Sequence, residues 1–167
     1  MANVEFKDFT IKVTEAMEDA LIAGLYEAAG EIEAKTKRNS RQGHKYGDIQ
    51  ATALWKHQVN EGNMEAQIGS EYEAGYWEEF GTGEHALNKD GRKGWWVYVE
   101  GQDSGSGGKT YATKEEAEDA AKYLRHVKKL EAYATNGIDP NRPLHRAFAS
   151  GKKVVQAIFE DKLKGLG

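Results

Sequence analysis

The stretch EYEAGYWEEFGTG, residues 71–83, holds the densest group of side chains in this sequence that could carry out chemistry. It places four carboxylates, four aromatic rings and three glycines in thirteen positions. Glu78 and Glu79 are adjacent, and paired carboxylates act as general acid and base in glycoside hydrolysis. Neighbouring side chains on a strand or a helix point in different directions, so these two do not face each other across a substrate. We expect no catalytic site here, and a hydrolase using Glu78 and Glu79 is kept as an alternative.

Other residues with chemical potential lack the spacing that would make a site. The histidines show no H-E-x-x-H motif and no other pair that would place two metal ligands on one helical face (His44, His57, His85, His126 and His145). No serine occupies a G-x-S-x-G turn, and the chain has no cysteine. We therefore expect no enzymatic activity, no metal and no cofactor.

The run GQDSGSGGKT, residues 101–110, has the composition of a phosphate-binding loop but not its pattern. Such a loop needs a glycine five positions before Gly108, so that backbone N–H groups surround the phosphates. That position is Asp103, whose carboxylate would repel a phosphate. We interpret the run as a flexible linker.

A basic run lies between residues 35 and 45 and contains no acidic residue: Lys35, Lys37, Arg38, Arg41 and Lys45. One interpretation is a solvated helix end, because cations stabilise the C-terminal end of a helix dipole. The other is a patch that faces DNA or an acidic partner. The sequence leaves both open.

The aromatic residues of the 71–83 stretch recur every three or four positions, which predicts one face of a short helix: Tyr72, Tyr76, Trp77 and Phe80. Core packing is the ordinary role of such a face. Tyr and Trp are also enriched at protein interfaces, so an interface anchor is the second interpretation.

The composition suits one folded domain. The chain has 167 residues, of which 30% are charged and 10% aromatic, and its formal net charge is −4. That charge argues against general nucleic-acid binding, which relies on neutralised phosphates. The absence of cysteine fits a reducing compartment, and the lack of a long apolar run predicts no signal peptide and no membrane partner.

The first half of the chain predicts a strand, a long helix and a hairpin. Residues 4–13 alternate from Phe9 to Val13, which predicts a strand, with Thr14 as the N-cap of the next helix. Helical spacing of apolar residues predicts a long amphipathic helix over residues 15–38. The runs TALWKHQV (52–59) and MEAQIGS (64–70) predict an antiparallel hairpin.

The second half predicts a strand, a covering helix and a strong terminal helix. WWVYVEG (95–101) is typical of a strand, onto which KTYAT (109–113) could pair back. Thr113 and Glu116 form a capping box for a helix that runs to about Lys129 or Ala134. Pro143 suits the first turn of the last helix. The prediction is one α+β domain over residues 1–167, a small mainly antiparallel sheet packed by the two end helices, with 88–137 as an insertion.

The order of these parts resembles a known family. IGSEYEAGYWEEFGTG is similar to the Y-A-x-x-x-E-x-G-T signature of the tail-component family of long-tailed phages, which are neck and tail-completion proteins related to the lambda tail-completion protein. A long first helix, a hairpin ending in IGS, the glycine turn, a variable insertion and the RPLHRAF helix follow in the family's order. The resemblance covers about residues 17–163.

The resemblance implies a structural virion protein of the head–tail connector, present in the host cytoplasm during assembly. It would form a ring, with six copies favoured, between the DNA-filled head and the tail tube. Its partners would be head-closure or connector proteins, tail tube or tail terminator proteins, and channel DNA without sequence specificity. A nucleic-acid-contacting accessory protein of a phage or prophage is the other alternative.

On this resemblance the glycine turn is a docking shape. Gly81 and Gly83 would allow a tight turn, Thr82 or Glu79 would bind its backbone amides, and the aromatic rings would fix it to the hairpin. The implied interface or structural residues are Tyr76, Trp77, Glu79, Phe80, Gly81, Thr82, Gly83, Pro143 and Leu144.

Overall fold

The computed structural model describes residues 10–100 and 108–166. Their element order is α1 (Thr10–Asn39), β1 (Lys45–Tyr46), β2 (Ile49–Gln50), β3 (Lys56–Asn60), β4 (Glu65–Gly69), α2 (Glu73–Phe80), β5 (Trp96–Val99), α3 (Lys114–Val127), β6 (Ala132–Thr135) and α4 (Pro143–Lys164). Short 3-10 turns cover Ala51–Leu54 and Gly83–His85. The predicted α+β class is confirmed, with long helices near both ends of the chain.

The strands pair as three separate two-stranded antiparallel sheets, β1–β2, β3–β4 and β5–β6. The predicted β3–β4 hairpin is confirmed, and its register places His57 opposite Ile68 and Val59 opposite Ala66. The strand begins later than predicted, because residues 51–54 form a 3-10 turn that buries Ala51 and Leu54. The predicted return of KTYAT is confirmed as an antiparallel bridge between Trp95 and Tyr111.

Helix α1 begins earlier than the sequence predicts. Residues 10–13 were expected to be the end of a strand but are helical, so Thr14 is not an N-cap. The reason is that no glycine or proline interrupts the chain from Thr10 to Ala23, so the helix extends through the Ile11 and Val13 positions. Residues 4–9 of the predicted strand lie outside the described residues.

Helix α3 ends at Val127, and the prediction that it reaches as far as Ala134 is wrong. Lys129 adopts a left-handed conformation with φ 58°, and the N–H of Leu130 turns back to the carbonyl of Leu124 at 3.2 Å. The following residues then form β6, whose Ala132 is fully buried. The capping box is confirmed, since Thr113 Oγ1 accepts the N–H of Glu116 and the Glu116 carboxylate accepts the N–H of Ala112.

Helices α1 and α4 pack closely against each other because glycines lie at their contacts. A Cβ on Gly151 would collide with Ile32, and one on Gly24 would lie 2.7 Å from the ring of Phe159. Contacts at the two ends of the pair show that the helices are antiparallel. Lys35 Nζ donates to the carbonyl of Ser150 at 3.1 Å, and Lys162 Nζ lies 2.7 Å from Glu27.

The main core cluster lies between α1, the 51–54 turn and α2. It consists of Ala51, Leu54, Trp55 and Ala74, with Tyr46, Ile49, Trp77 and Leu144 packed against it. Trp55 Nε1 donates to Ser40 Oγ at 2.8 Å, so the one polar atom of this indole is satisfied inside the core. This cluster holds α2 and the start of α4 in place, and both elements build the site described next. Among the described residues, no helix is long and apolar enough to cross a membrane.

Candidate interaction site

The glycine turn after α2 has the conformation that the sequence predicts. Gly81 has φ 74° and Gly83 has φ 60°, a region that favours glycine. The N–H of Gly81 closes α2 by donating to the carbonyl of Trp77 at 2.9 Å. A Cβ on Gly81 would also lie 2.7 Å from the carbonyl oxygen of Ile138. Glycine is therefore required at Gly81 by both conformation and space.

The amides of this turn bind the chain just before α4, and the predicted role of Glu79 and Thr82 in binding them is wrong. The N–H of Thr82 donates to the carbonyl of Ile138 at 2.9 Å, and that of Glu84 donates to the carbonyl of Asn136 at 2.9 Å. Thr82 Oγ1 instead accepts the N–H of Ile138 at 3.0 Å. The turn and residues 136–138 form a two-way clasp, a long-range pairing with no local sequence signal.

Glu78 is the buried centre of a hydrogen-bond network. Its side chain is fully buried. Its carboxylate accepts the Arg41 backbone N–H at 3.0 Å, an Arg41 guanidinium N–H at 2.5 Å, the Tyr46 hydroxyl at 2.5 Å and the Asn141 side-chain amide at 2.6 Å. Burial by itself would raise the pKa of Glu78, but these donors outweigh it and hold the pKa below its ordinary value. Glu78 is therefore an ionised structural anchor.

Burial, together with the hydrogen bond to Glu78, raises the pKa of the Tyr46 hydroxyl. That hydroxyl therefore stays protonated and acts as a donor. The network links α2 to the loop after α1 and to the segment before α4, so one carboxylate joins three parts of the chain.

Glu79 points to a different element and caps α4. Its two carboxylate oxygens accept the N–H groups of Leu144 at 2.9 Å and His145 at 3.0 Å. Pro143 is the first residue of α4 and has no N–H, and the side chain of the preceding residue, Arg142, does not cap the helix. A carboxylate at this end also favours the helix dipole. Glu79 thus supplies from α2 the cap that α4 lacks in its own sequence.

The aromatic residues of α2 divide between the core and the surface. Trp77 packs against the core cluster, with its ring centroid 6.3 Å from that of Tyr46. Tyr76 is 46% exposed and Phe80 is 37% exposed, and their ring centroids lie 4.8 Å apart. Tyr76 and Phe80 both lie at the surface, and the expectation that the rings fix the turn to the hairpin stays a prediction.

An open groove of about 650 Å³ lies between α2 and the first turns of α4. We call it the aromatic groove, after the exposed rings that line it: Tyr72, Tyr76, Phe80 and Phe148. Its rim carries the carboxylates of Glu71 and Glu73 on one side, and the guanidinium of Arg142 and the imidazole of His145 on the other. Of the other residues that the resemblance implies, Leu144 also lines the groove and Pro143 is buried beside it.

The basic run of residues 35–45 is largely engaged within the molecule. Lys37 pairs with Glu33, Arg38 with Glu31 at 3.2 Å, and Arg41 with Glu78. Lys35 donates to a backbone carbonyl of α4, which leaves Lys45 as an exposed cation of the run.

A second group of exposed cations lies on α4 and was missed by the sequence analysis: Arg142, Arg146, Lys152 and Lys153. The signal that could have found them is the absence of any Asp or Glu from Arg142 to Phe159.

Two histidines have local partners. His57 Nδ1 lies 2.5 Å from Glu33 Oε2, and His85 Nδ1 lies 2.7 Å from Asp139 Oδ1. In the part of the chain that the structure describes, no three His, Asp or Glu side chains are grouped so as to hold a metal ion.

No family model, curated protein or solved structure matches this chain.

Proposed function

We propose that this chain is a structural virion protein of the head–tail connector of a long-tailed phage, a neck or tail-completion component. Copies of it would form a ring, with six copies favoured, that joins the DNA-filled head to the tail tube. Its neighbours would be head-closure or connector proteins on one side and tail tube or tail terminator proteins on the other.

The observation that carries the proposal is the use made of Glu78 and Glu79. Both carboxylates are buried and accept hydrogen bonds from within the chain, Glu78 from Arg41 and its neighbours and Glu79 from the start of α4. Carboxylates committed in this way support shape, since every one of their oxygens accepts a hydrogen bond from within the chain. This supports a docking element in preference to a hydrolytic site.

The aromatic groove supports the same proposal because it has the features of a surface that binds another protein. Four exposed rings around one concave surface are unusual for a surface that meets only water, and Tyr and Phe beside a charged rim match the composition of protein interfaces. We assign the groove to contact with a neighbouring protein of the connector or the tail. The class of assembly is proposed from the resemblance of the order of sequence parts to the tail-component family.

Deletion of the gene in its phage tests the proposal. We expect DNA-filled heads and built tails that remain unjoined, or tails with defective ends, counted by electron microscopy and restored by the wild-type gene supplied in trans. Normal infectious particles from the deletion would contradict the whole proposal.

Variants of the groove sharpen the same test. Tyr76→Ala with Phe80→Ala should fail to restore joining while keeping the parent's melting temperature within a few degrees, because both rings are exposed. Tyr123→Ala is the matched control, since Tyr123 is 54% exposed on α3, away from the groove, and should restore joining fully. Equal restoration by both variants would remove the groove from the proposal.

A further inference from the structure

From Glu15 onward, charge is strongly segregated along α1. Residues 15–34 contain six acidic and no basic residues, whereas residues 35–46 contain five basic and no acidic residues. The first half of α4 continues the basic region, since residues 142–153 contain four Lys or Arg and no acidic residue. Hydrogen bonds from Asn39 to Pro143 and from Lys35 to Ser150 bring these basic segments together at one end of the helix pair.

We name the two ends by their exposed residues. The basic end consists of Arg38, Arg142, Arg146, Lys152 and Lys153, and the acidic end consists of Glu15, Glu18 and Asp19. Within the described residues, no ion pair includes Lys152, Lys153 or any residue of the acidic end.

The helix dipole does not account for the whole charge pattern. The cations in the last turn of α1 favour its dipole, but its first turn contains no acidic residue. The carboxylate of Glu79 meets the N-terminal end of the α4 dipole. Lys152 and Lys153 lie beyond the first turn, are exposed and have no ion-pair partner among the described residues, so they are available to an anionic partner outside the molecule.

The acidic end cannot be that partner within one molecule. Asp19 and Arg38 are separated by 19 residues of one helix, which is roughly 28 Å at 1.5 Å per residue. The Debye length at physiological salt is about 8 Å, so the two ends do not interact across the molecule. They can meet only between copies.

We infer that the basic end of one copy docks on the acidic end of a second copy, in a head-to-tail contact. Exposed apolar side chains lie within both surfaces, since Met17 is 45% exposed beside Glu18 and Val154 is 38% exposed beside Lys153. A head-to-tail contact that repeats with a closing rotation generates a ring. The inference rests on the proposed function for its ring and adds the surfaces that would form it.

Disulfide cross-linking tests the contact directly because the chain has no cysteine. Ala16 lies beside Asp19, and Ala149 lies between Arg146 and Lys153, and both are exposed on their helices. A mixture of the A16C and A149C chains should give 16–149 dimers in excess of 16–16 and 149–149 dimers. The excess should disappear at about 1 M salt, where the Debye length is about 3 Å.

An A112C chain is the matched control, since Ala112 is exposed just before α3. It should cross-link to A16C only at the background rate. A predominance of 16–16 or 149–149 dimers, or an equal yield with A112C, would overturn the inference.

Charge-reversal variants test whether electrostatic attraction between the two ends, and not mere proximity of the two cysteines, produces the 16–149 cross-link. The changes Lys152→Glu and Lys153→Glu in the A149C chain should lower the 16–149 yield by about tenfold, since each exposed pair contributes up to about 1 kcal/mol. Adding Glu15→Lys and Asp19→Lys to the A16C chain should restore the yield. Circular dichroism checks that the variants remain folded, and a reversed pair that stays at the lower yield would contradict the contact.

Double-stranded DNA is the competing partner for the basic end. Fluorescence anisotropy with a short duplex measures it, and binding that Lys152→Glu with Lys153→Glu abolishes, without any 16–149 cross-link, would overturn the inference in favour of DNA. The proposed function fails separately, through normal particles from the deletion. Defective joining without 16–149 dimers would leave the connector role in place with a different contact between copies.

Discussion

The carboxylate of Glu78 and the guanidinium of Arg41 lie 2.5 Å apart, 37 positions from each other in the chain. Replacing Glu78 by Gln keeps the shape but removes the charge that Arg41 and Tyr46 face. We expect Glu78→Gln to lower the free energy of unfolding by about 2–3 kcal/mol, because Arg41 would remain half-buried without its partner. Urea denaturation measures this.

Glu73→Gln is the control, since Glu73 is exposed in the same helix and should change stability by less than about 0.5 kcal/mol. Equal effects of Glu73→Gln and Glu78→Gln would contradict the anchoring role of Glu78.

Stability should fall in acid partly through Glu78. Its pKa is lower in the folded than in the unfolded protein, so its contribution is complete above the unfolded value of about 4.3 and is lost as pH falls toward the folded value. We expect the unfolding free energy of the wild type to decline below about pH 4.3, and Glu78→Gln to flatten that decline. Denaturation curves between pH 2 and 7 measure both, and parallel curves would argue against the network.

Glu79 should act as a cap. Glu79→Ala removes the acceptor for two N–H groups of α4 and should cost about 1–2 kcal/mol, whereas Glu79→Gln keeps one oxygen and should cost less. Both variants should impair the joining of phage heads to phage tails, in proportion to the stability that each variant loses. A Glu79→Gln variant as stable as the parent but unable to join would reopen the question of chemistry at this residue.

Substitution of the glycines of the turn should destabilise the protein. Gly81→Ala and Gly83→Ala place a Cβ at positive φ and against the carbonyls of Ile138 and Asn136, so we expect each to cost about 1–3 kcal/mol by thermal denaturation. Gly30→Ala is the control, because a Cβ there meets nothing within 4 Å and glycine is unfavourable inside a helix. Gly30→Ala should raise the free energy of unfolding by about 0.5–1 kcal/mol. If all three variants lower the free energy of unfolding, the turn has no specific requirement for glycine.

The predicted insertion, residues 88–137, should be dispensable for folding. Its stems are joined by the clasp between the turn and residues 136–138, so a Gly/Ser loop replacing residues 89–135 retains those hydrogen bonds. We expect the shortened chain to unfold cooperatively at a lower temperature than the parent, because the ring of Trp96 no longer covers Gly83. Loss of all cooperative unfolding would place β5 in the core.

Local patterns predicted the elements, and only the folded chain revealed their partners. Helix α1, the β3–β4 hairpin, α2 and the Pro143 start of α4 were predicted because their periodicity or caps lie within a few residues. Strand β6 was missed although Leu130, Ala132 and Ala134 alternate as in a strand, because its alanines are typical of a helix and the turn before it uses Lys129 in place of glycine. The roles of Glu78 and Glu79 depend on residues 32–66 positions away, which no local pattern contains.

The antiparallel pairing of α1 with α4 has a consequence for synthesis on the ribosome. Ile32 and its neighbours on α1 are covered by residues such as Gly151, made more than a hundred positions later. Asn141 and Leu144, which donate hydrogen bonds to Glu78 and Glu79, are likewise synthesised later. Contacts of such long range slow folding, so the nascent chain keeps the apolar side of α1 uncovered until its last helix emerges. Chaperones that bind exposed apolar segments therefore have their longest access to this protein before α4 is complete.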